Sequence, residues 1–594
     1  MVQEMKRNGH KSEEKEEQKW VLDDCVDYKG RIPLRAATGV WKASLFVLAV
    51  SMSERIAYFG LGSNLITYLT RVMHQDLKTA TNNVNYWRGA TTLLPLIGGY
   101  VGDAYIGRFR MILFSSLLYI KGLIMLTMSQ FVPNLKPLNN DISDQTNKVH
   151  EVVFYLGLYS LALGTGGFRP CSVSFGADQF DDEHLEERKE KMSFFNWLTF
   201  VFSFALLLGT TAIVYVQDFV SWGVACLALA IVMALTIIAF YMGIPFYRYK
   251  MKPKENPFLP ILQVLIAAVR KRNLSCPSNP ALLFEVPESE NSQRRLLSHT
   301  SRFRFLDKAA IVEEKYTEEK ENPWRLATVT RVEETKLILN VVPIWLTSAL
   351  VGVSVAYGTT LFVKQSAAMN LKISNSFEIP PASMLSLAGF VTMVFVPIYD
   401  RIIVPIVRKV TGNERGISML RRIGIGLTLL IIVMAVAALV ETKRLRMVGH
   451  EVVTEDGTKQ ETMSLMWMIP QFIIIGIGNA FYLTGLQEYF YEEVPDSMRS
   501  IGMALYLSGI GVGFFFSSFL LTIVDYVTGK IGKSWIAKDV NSSRLDKLYW
   551  LMVGLNILNL FFFLFIAMRY TYKTVQMKAT EIDGSNADGM ETLP

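Results

Sequence analysis

The sequence contains little cysteine, little histidine and little charge. Four of its 594 residues are cysteine and six are histidine. Neither type clusters at the spacing of a metal site, and no nucleophile elbow or phosphate-binding loop is present. The cysteines have no paired spacing, and two fall in segments that we expect to be cytoplasmic, where disulfides are rare. These absences argue against a metal centre, a bound cofactor and an enzyme.

Charged residues make up 19% of the chain, against about 25% in soluble proteins. Hydrophobic residues make up 51%, and the mean hydropathy is +0.27. Apolar runs recur at the length that a membrane-spanning helix needs, and the alternation of a membrane barrel is absent. The pattern predicts an all-α polytopic membrane protein with about twelve spans, at residues 41–68, 80–104, 108–130, 151–172, 192–214, 219–243, 337–363, 379–399, 417–440, 464–490, 499–526 and 547–568.

A long polar connector separates the first six predicted spans from the last six. Many secondary transporters are built from two such bundles, which enclose a site near the bilayer midplane. We therefore expect five segments: a disordered cytoplasmic N-terminus at 1–36, an N-terminal six-helix bundle at 37–243, a cytoplasmic linker at 244–336, a C-terminal six-helix bundle at 337–570 and a cytoplasmic tail at 571–594.

The net charge of +7 reflects where the basic residues lie. Lys and Arg concentrate in the N-terminal segment, in the connector and between Arg401 and Arg422. If both termini share one side, these segments share it too, and the positive-inside rule makes that side cytoplasmic. The expected partners are a lipid bilayer and a small-molecule solute, not nucleic acid. No sorting signal decides between the plasma membrane and the vacuolar membrane.

Three features of the polar segments suggest local roles. Residues 256–270 place apolar side chains at helical spacing, which predicts an amphipathic helix at the membrane face. Arg295-Leu-Leu-Ser298 matches a basophilic kinase site, so kinase regulation of the central loop is a hypothesis, although such matches are common by chance. Asn541-Ser-Ser is an N-glycosylation sequon in a predicted outer loop.

Glu54 and Arg55 are adjacent charges in the middle of the first apolar run. A charge at the bilayer centre costs roughly 2.5–3.5 kcal/mol even on the insertion scales, so it normally faces a partner or a wet cavity. The pair either holds helices together or marks the path of a solute or a proton. We favour the second interpretation because the two charges are adjacent in a first spanning helix.

Two turn motifs at predicted span ends indicate conformational switching. Gly98-Gly-Tyr-Val-Gly-Asp103-Ala-Tyr-Ile-Gly-Arg108 joins the second and third spans, and Asp103 and Arg108 can pair with charges at neighbouring helix ends. A related turn in the second half contains Asp400 and Arg401. The first motif resembles the helix 2–3 signature of the major facilitator superfamily, so these four residues are candidate gating residues rather than solute contacts.

Further motifs narrow the resemblance. The fourth span contains Gly164-Thr-Gly-Gly-Phe-Arg169-Pro170, and the tenth ends with Leu486-Gln-Glu488-Tyr-Phe-Tyr491. Together with Glu54-Arg55 and Phe194-Phe-Asn-Trp197, they resemble the proton-dependent oligopeptide transporter family, specifically its plant nitrate/peptide branch. The resemblance extends over residues 25–570 and implies a proton-coupled carrier with the major facilitator fold.

The family motifs imply roles for individual positions. Glu54 and Arg55 match the last two positions of the family's Glu-x-x-Glu-Arg motif, and Tyr58 follows one turn later on the same face. Arg169 stands where the family has a helix 4 lysine, and Glu488 stands where it has a glutamate that pairs with that lysine. The implied roles are anion binding by Arg55 and Arg169 and proton-linked switching or amine binding by Glu488, with Tyr491 beside it.

Several departures from the family pattern qualify these roles. The first glutamate of the helix 1 motif is Ser51, which cannot ionise, and the helix 4 lysine is Arg169, which stays protonated. We therefore expect proton coupling to be weakened. The family's nitrate-binding histidine corresponds to Val355, with Tyr357 close by, so nitrate binding by that route is not expected. Glu54, Arg55, Arg169 and Glu488 sum to zero charge, which favours anionic or zwitterionic solutes.

The main hypothesis is a secondary active transporter of a small solute that works by alternating access. Nitrate, short peptides and organic anions such as hormones all remain open as substrates. A transport-impaired solute sensor of the same fold is the alternative, because Ser51 removes a titratable group. No metal or organic cofactor is expected, and the energy source would be a proton gradient.

Overall fold

The computed structural model describes a helical protein. It describes residues 21, 25–132, 135, 148–181, 184–250, 258–275, 283–284, 299–312, 322–374, 377–411, 417–448, 451–454, 457–460, 463–495, 499–532, 534–537 and 539–570. The predicted kinase site at Arg295–Ser298 lies outside these residues. Some helical side chains are not described either, among them those of Asp103, Asp400 and Tyr491.

The first half contains seven helices among the described residues. They are α1 Val40–Arg71, α2 Leu77–Val101, α3 Arg108–Phe131, α4 Lys148–Ala177, α5 Leu185–Leu208, α6 Val214–Phe219 and α7 Trp222–Met242. A π-helical segment at Gly209–Ile213 joins α5 to α6, so the two act as one long span. The end at which α1 finishes and α2 begins is termed the Lys78 end, and the opposite end is termed the Arg108 end.

The remaining helices begin with a short one in the connector. They are α8 Phe258–Arg270, α9 Val329–Thr359, α10 Leu361–Ala367, α11 Met384–Ile398, α12 Val404–Thr411, α13 Met419–Val448, α14 Ile469–Glu492, α15 Arg499–Ile531 and α16 Leu545–Met568.

Eleven helical segments of the described residues are long and apolar enough to cross a membrane. This confirms a polytopic helical membrane fold. The expectation of about twelve spans differs at residues 80–104, where α2 has 25 residues but is not apolar enough to qualify. Asn82, Asn83, Asn85 and Arg88 lower its hydropathy. Asn83, Asn85 and Arg88 have polar partners in neighbouring helices.

Both turn motifs adopt the same unusual backbone. Gly102–Ile106 after α2 and Tyr399–Ile403 after α11 are π-helical. The π-helix is rare and occurs mostly as single turns, often at functional sites. The sequence similarity between the two turns is therefore matched by a shared local conformation at equivalent places in the two halves.

Within the described ranges, short strands pair in three small antiparallel sheets. They are β1 Cys25–Val26 with β2 Tyr249–Lys250, β3 Lys372–Ser374 with β4 Phe377–Glu378, and β5 Glu451–Thr454 with β6 Gly457–Gln460. The first sheet ties the segment before α1 to the segment after α7. Part of the N-terminus that we expected to be disordered is therefore structured from Cys25 onward.

A buried ionic network fixes the same N-terminal segment, which we term the strap, residues 25–39. Arg248 donates to Glu187 Oε2 at 2.6 Å and to the Thr38 carbonyl at 2.8 Å, and only 1% of Arg248 is exposed. Arg35 of the strap reaches both Asp181 and Glu187, at 2.8 and 3.1 Å. The strap thus links α1, α5 and the end of α7 at the Arg108 end.

Gly39 explains how the strap enters α1. Its φ angle is +74°, in the left-handed region that glycine tolerates. A Cβ at this position would overlap the Arg248 guanidinium. The residue before the first turn of α1 must therefore be glycine for two independent reasons.

The chain forms two compact units. One comprises the described parts of 1–254, 343–491 and 500–569, and the other comprises the described parts of 255–342 and 492–499 together with Tyr570. The first unit contains most of both predicted bundles and two large apolar cores, one mainly in each half. In the second unit, α8 packs Val264, Ala267 and Ala268 against Leu306 and neighbouring alanines. Leu259, Leu262 and Val269 of α8 are exposed.

Candidate substrate and proton site

The buried carboxylate of Glu54 on α1 is held by an arginine from α4. Arg169 donates through Nε to Glu54 Oε1 at 3.1 Å, and its Nη2 lies 3.0 Å from the same oxygen. The Thr165 hydroxyl lies 3.4 Å from that oxygen as well. Glu54 has no exposed surface, so protein groups rather than water compensate its charge.

Arg55 completes the ion cluster from the same helix. Its Nε lies 3.6 Å from Glu54 Oε2, which has no hydrogen-bond partner among the described residues. Arg55 lies over the ring of Phe202 at 4.3 Å, and Arg169 lies over the ring of Tyr58 at 3.9 Å. Such cation–π contacts stabilise a guanidinium that has left water. The Arg55 side chain is 19% exposed and that of Arg169 is 11% exposed, so Arg55 is the more accessible cation.

Glycines let α4 come close enough to its neighbours to place Arg169. A Cβ on Gly98 of α2 would overlap the carbonyl of Gly166, and a Cβ on Gly164 would lie 2.8 Å from the Ser115 carbonyl oxygen. Only residues without a side chain allow this approach. The Gly-Thr-Gly-Gly run therefore packs the helix that carries Arg169.

Ser51 lies one turn before Glu54 and Arg55 on α1 and is 2% exposed. Its hydroxyl has no hydrogen-bond partner within the part of the chain that the structure describes. Residues three and four apart share a helix face. Position 51 thus faces the ion cluster but contributes no charge to it.

Two tyrosines of the second half lie near the cluster, and no sequence motif pointed to either. Tyr506 on α15 interacts electrostatically with Arg55, and Tyr482 on α14 interacts with Tyr506. The Tyr482 hydroxyl has no hydrogen-bond partner among the described residues. Because a phenol both donates and accepts, these groups extend the polar surface from Arg55 into the second half.

Glu488 bonds an arginine of its own half rather than Arg169. Arg422 donates to Glu488 Oε2 at 2.8 Å and lies over the ring of Tyr399 at 4.9 Å. The resemblance implied a partner for Glu488 on the fourth span. In this structure Glu54 engages that arginine instead, because it is the carboxylate within reach of α4.

Tyr357 lies at a contact between the two halves. It is fully buried among apolar residues that include Phe362 and Tyr549. Its hydroxyl lies near Ser517 of α15 but has no hydrogen-bond partner among the described residues. Ser517 in turn accepts a hydrogen bond from Asn85 of α2 at 3.2 Å. Tyr357 has no described contact with Arg55 or Arg169, so its role in solute contact stays a prediction.

Polar contacts join the halves at the Lys78 end. Lys78 of α2 lies 2.5 Å from Asp525 of α15, and Lys364 of α10 donates to Thr70 of α1. The Ser383 hydroxyl donates to the Thr210 carbonyl at 2.9 Å. With Asn85–Ser517, which also joins α2 to α15, these contacts connect three pairs of segments near one end of the molecule.

The predicted gating residues are only partly described. Arg108, at the start of α3, pairs with Asp178 at the end of α4, and the atoms are 2.5 Å apart. Arg401 is exposed in the π-helical turn after α11. The side chains of Asp103 and Asp400, like that of Tyr491, lie outside the described residues, so their roles remain predictions.

The sequon residue Asn541 is exposed, and its Oδ1 accepts a hydrogen bond from Arg444 at 2.6 Å. Arg444 also forms a buried ion pair with Glu441 at 2.7 Å. Modification of Asn541 stays a prediction, because a sequon alone does not show use.

Arg88 is a buried cation of α2 that the sequence reading did not single out. Its Nη2 donates to the Gly62 carbonyl at 2.6 Å, and the residue is 7% exposed. It interacts electrostatically with Tyr58 and Arg169. The available signal was the one used for Arg55, a charge inside an apolar span.

One cluster of potential metal ligands is present in the second unit among the described residues. Side-chain atoms of His299, Asp307 and Glu333 lie within 4.8 Å of one another. However, Lys336 Nζ lies 2.6 Å from Asp307 Oδ1 and 2.7 Å from Glu333 Oε1. The lysine ammonium therefore occupies the place of a cation, and the cluster is an internal ion network.

Comparison with known proteins agrees with this architecture. The model of the PTR2, or POT, family matches residues 109–536. "Protein NRT1/PTR family 5.6" of Arabidopsis thaliana is 49% identical over 94% of this chain and 96% of its own length. Family member 5.7 of the same plant is 48% identical over 97% of this chain and 96% of its own length.

A solved structure shows the same fold. The crystal structure of an auto-inhibited POT family peptide transporter has a TM-score of 0.66, covers 89% of this chain and 97% of its own, and is 17% identical. The matched proteins are transporters rather than enzymes. The family predicted from the Glu54, Arg169 and Glu488 motifs is confirmed: the chain is an integral multi-pass membrane transporter of the POT family and belongs to the NRT1/PTR proteins.

Proposed function

We propose that the protein carries a small anionic solute across the membrane by alternating access, with proton coupling through Glu54. The observation that carries this proposal is the Glu54 cluster, in which one carboxylate is shared by Arg169 and the more accessible Arg55. Buried intramembrane charges of this kind are expensive and mark transport paths.

The geometry suggests how a proton and an anion are linked. Glu54 Oε2 has no hydrogen-bond partner in the described structure, so it is the oxygen at which a proton binds. Neutral Glu54 attracts the two guanidinium groups less strongly. Arg55 is then free to bind the anion, with Tyr506 and Tyr482 as neighbouring polar groups. Release of the proton restores the Glu54–Arg55 attraction and favours release of the anion.

This coupling is weaker than in a site with two carboxylates on the first span. Ser51 faces the cluster without a titratable group, and Arg169 keeps its proton. Only Glu54 can change charge within the cluster of the first half. We therefore expect a proton gradient to stimulate transport without being strictly required.

Orientation follows from the charges and the contacts. We place both termini in the cytoplasm by the positive-inside rule, so the Arg108 end, at which the strap enters α1, is the cytoplasmic end. The Lys78 end then faces away from the cytoplasm, and its contacts close that side. Whether the membrane is the plasma membrane or the vacuolar membrane is to be decided by the position of a fluorescent fusion.

The test is solute flux by the purified protein in liposomes. A panel of nitrate, dicarboxylates, anionic hormones and short peptides is offered with and without a pH gradient. We expect uptake of anions, moderate stimulation by an acidic exterior, and loss of that stimulation in Glu54→Gln. Uptake of neutral or cationic solutes alone would contradict the proposal. Transport that strictly requires the pH gradient would contradict the weak proton coupling. No observation favours the sensor alternative, which predicts no flux.

A further inference from the structure

Arg88 is a buried charge without a carboxylate partner. No carboxylate of the described residues lies within 4.0 Å of it, and its Nε has no hydrogen-bond partner. Its one strong contact is with a neutral acceptor, the Gly62 carbonyl oxygen, at 2.6 Å. A guanidinium removed from water in this way is costly unless a negative charge lies near it.

The surrounding residues do not supply that negative charge. Tyr58 interacts with both Arg88 and Arg169, and Arg169 is already paired with Glu54. Glu488 is engaged by Arg422 in the other half. Among the described residues, the Glu54 cluster taken together with Arg88 thus contains three guanidinium groups, of Arg55, Arg88 and Arg169, against the single carboxylate of Glu54. Its net charge is +2 when Glu54 is ionised.

We propose that Arg88 sets the charge selectivity of the transport site, so that small dianions such as dicarboxylates bind better than monoanions, and monoanions better than neutral solutes. This inference rests on the proposed transport function and adds to it the class of solute. Coulomb attraction scales with the product of the charges and is strong where water is excluded. A site with two excess positive charges therefore favours a ligand with two negative charges.

A purely structural role for Arg88 makes a different prediction. The bond to the Gly62 carbonyl needs only a neutral donor, which glutamine supplies. If that bond is the whole role, Arg88→Gln resembles the native protein and the charge of residue 88 is irrelevant. If the charge matters, Arg88→Lys retains the selectivity and Arg88→Gln loses it.

The experiment measures ligand-induced thermal stabilisation of the full-length protein in lipid nanodiscs. The probes are succinate, nitrate and the neutral analogue succinamide, at constant ionic strength with gluconate as the background anion. For the native protein we expect the largest stabilisation from succinate, a smaller one from nitrate and the smallest from succinamide. Arg88→Lys keeps this order. In Arg88→Gln, the succinate concentration that gives half of the maximal stabilisation rises on the order of tenfold, as expected for loss of one charge in a partly desolvated site. The response to succinamide changes little.

Three results would overturn the proposal: an unchanged half-maximal succinate concentration in Arg88→Gln, loss of selectivity in Arg88→Lys, or a native protein that binds succinamide as well as succinate. The last measurement needs no variant, so the proposal remains testable if Arg88→Gln does not fold. Succinate flux in liposomes separates this inference from the proposed function. Charge-selective binding without flux would contradict transport while supporting the role of Arg88.

Discussion

Arg169 and Glu54 join the fourth and first spans through a single carboxylate oxygen: two guanidinium nitrogens lie within 3.1 Å of Oε1. The other oxygen, Oε2, faces Arg55 at 3.6 Å. One side chain therefore has a structural face and a face that can change protonation. A proton on Oε2 can therefore weaken the attraction between Glu54 and Arg55 while the contact between Oε1 and Arg169 still joins α1 to α4.

Neutralising Glu54 should remove the response to a proton gradient. Glu54→Gln keeps an oxygen for Arg169 but cannot exchange a proton at neutral pH. We expect flux driven by a pH gradient to fall to the level seen without a gradient, while exchange of solute across equal pH continues. Flux in liposomes at two exterior pH values measures this. Glu54→Asp, which keeps the charge, is the control and should retain a gradient response; a full response in Glu54→Gln would argue against Glu54 as the proton site.

A second carboxylate on α1 should strengthen coupling. Ser51→Glu places a titratable group on the face of Glu54 and Arg55, where it can exchange a proton against pairing with Arg55. We expect the ratio of flux with and without a pH gradient to increase. Ser51→Gln has the same size without the charge and should leave the ratio at the native value. Equal ratios in the two variants would show that size, not charge, governs this position.

The contacts at the Lys78 end should bias the protein toward the described state. Asp525→Asn removes the charge that Lys78 meets at 2.5 Å. Both side chains are about a quarter exposed, so we expect a loss of about 1 kcal/mol or less. The Lys78 end should then open more often, so a cysteine introduced just inside this contact should be labelled faster by a thiol reagent. Exchanging the charges, Lys78→Asp with Asp525→Lys, should restore the native labelling rate, and failure of this rescue would point to packing instead.

The strap should contribute to stability outside the membrane. Glu187→Gln leaves Arg248 buried without a negative partner, and breaking a buried pair in this way costs about 3–5 kcal/mol. We expect a clear decrease in the unfolding temperature of the purified protein. Arg31→Gln is the matched control, because the Arg31–Asp27 pair has one partner 67% exposed and should contribute little. Similar unfolding temperatures for both variants would mean that the network is not important for stability.

Sequence patterns predicted the helical class, the family and the central ion cluster, because intramembrane charge and long apolar runs are strong signals. The signal is weakest in α2, the helix found where a span was predicted at 80–104. α2 does not qualify as an apolar span because Asn85 and Arg88 face other helices rather than lipid, a property that hydropathy does not register.

Pairings were harder to predict than positions. Glu488 and Arg169 were both identified, yet each bonds a different partner from the one implied, Arg422 and Glu54 respectively. The partner depends on the conformational state and on which side chains are nearest in space. Likewise β1 and β2 are two residues each, too short for any periodicity, so the strap could be found only from the fold.

The strap also determines where a reporter can be attached. Because residues from Cys25 onward are hydrogen-bonded to the segment after α7, a fluorescent protein or affinity tag that replaces or interrupts them would separate the start of α1 from its anchor. A tag placed before Val21 leaves these bonds intact. Shortened versions that begin inside residues 25–39 are therefore poor choices for crystallography or for locating the protein in cells.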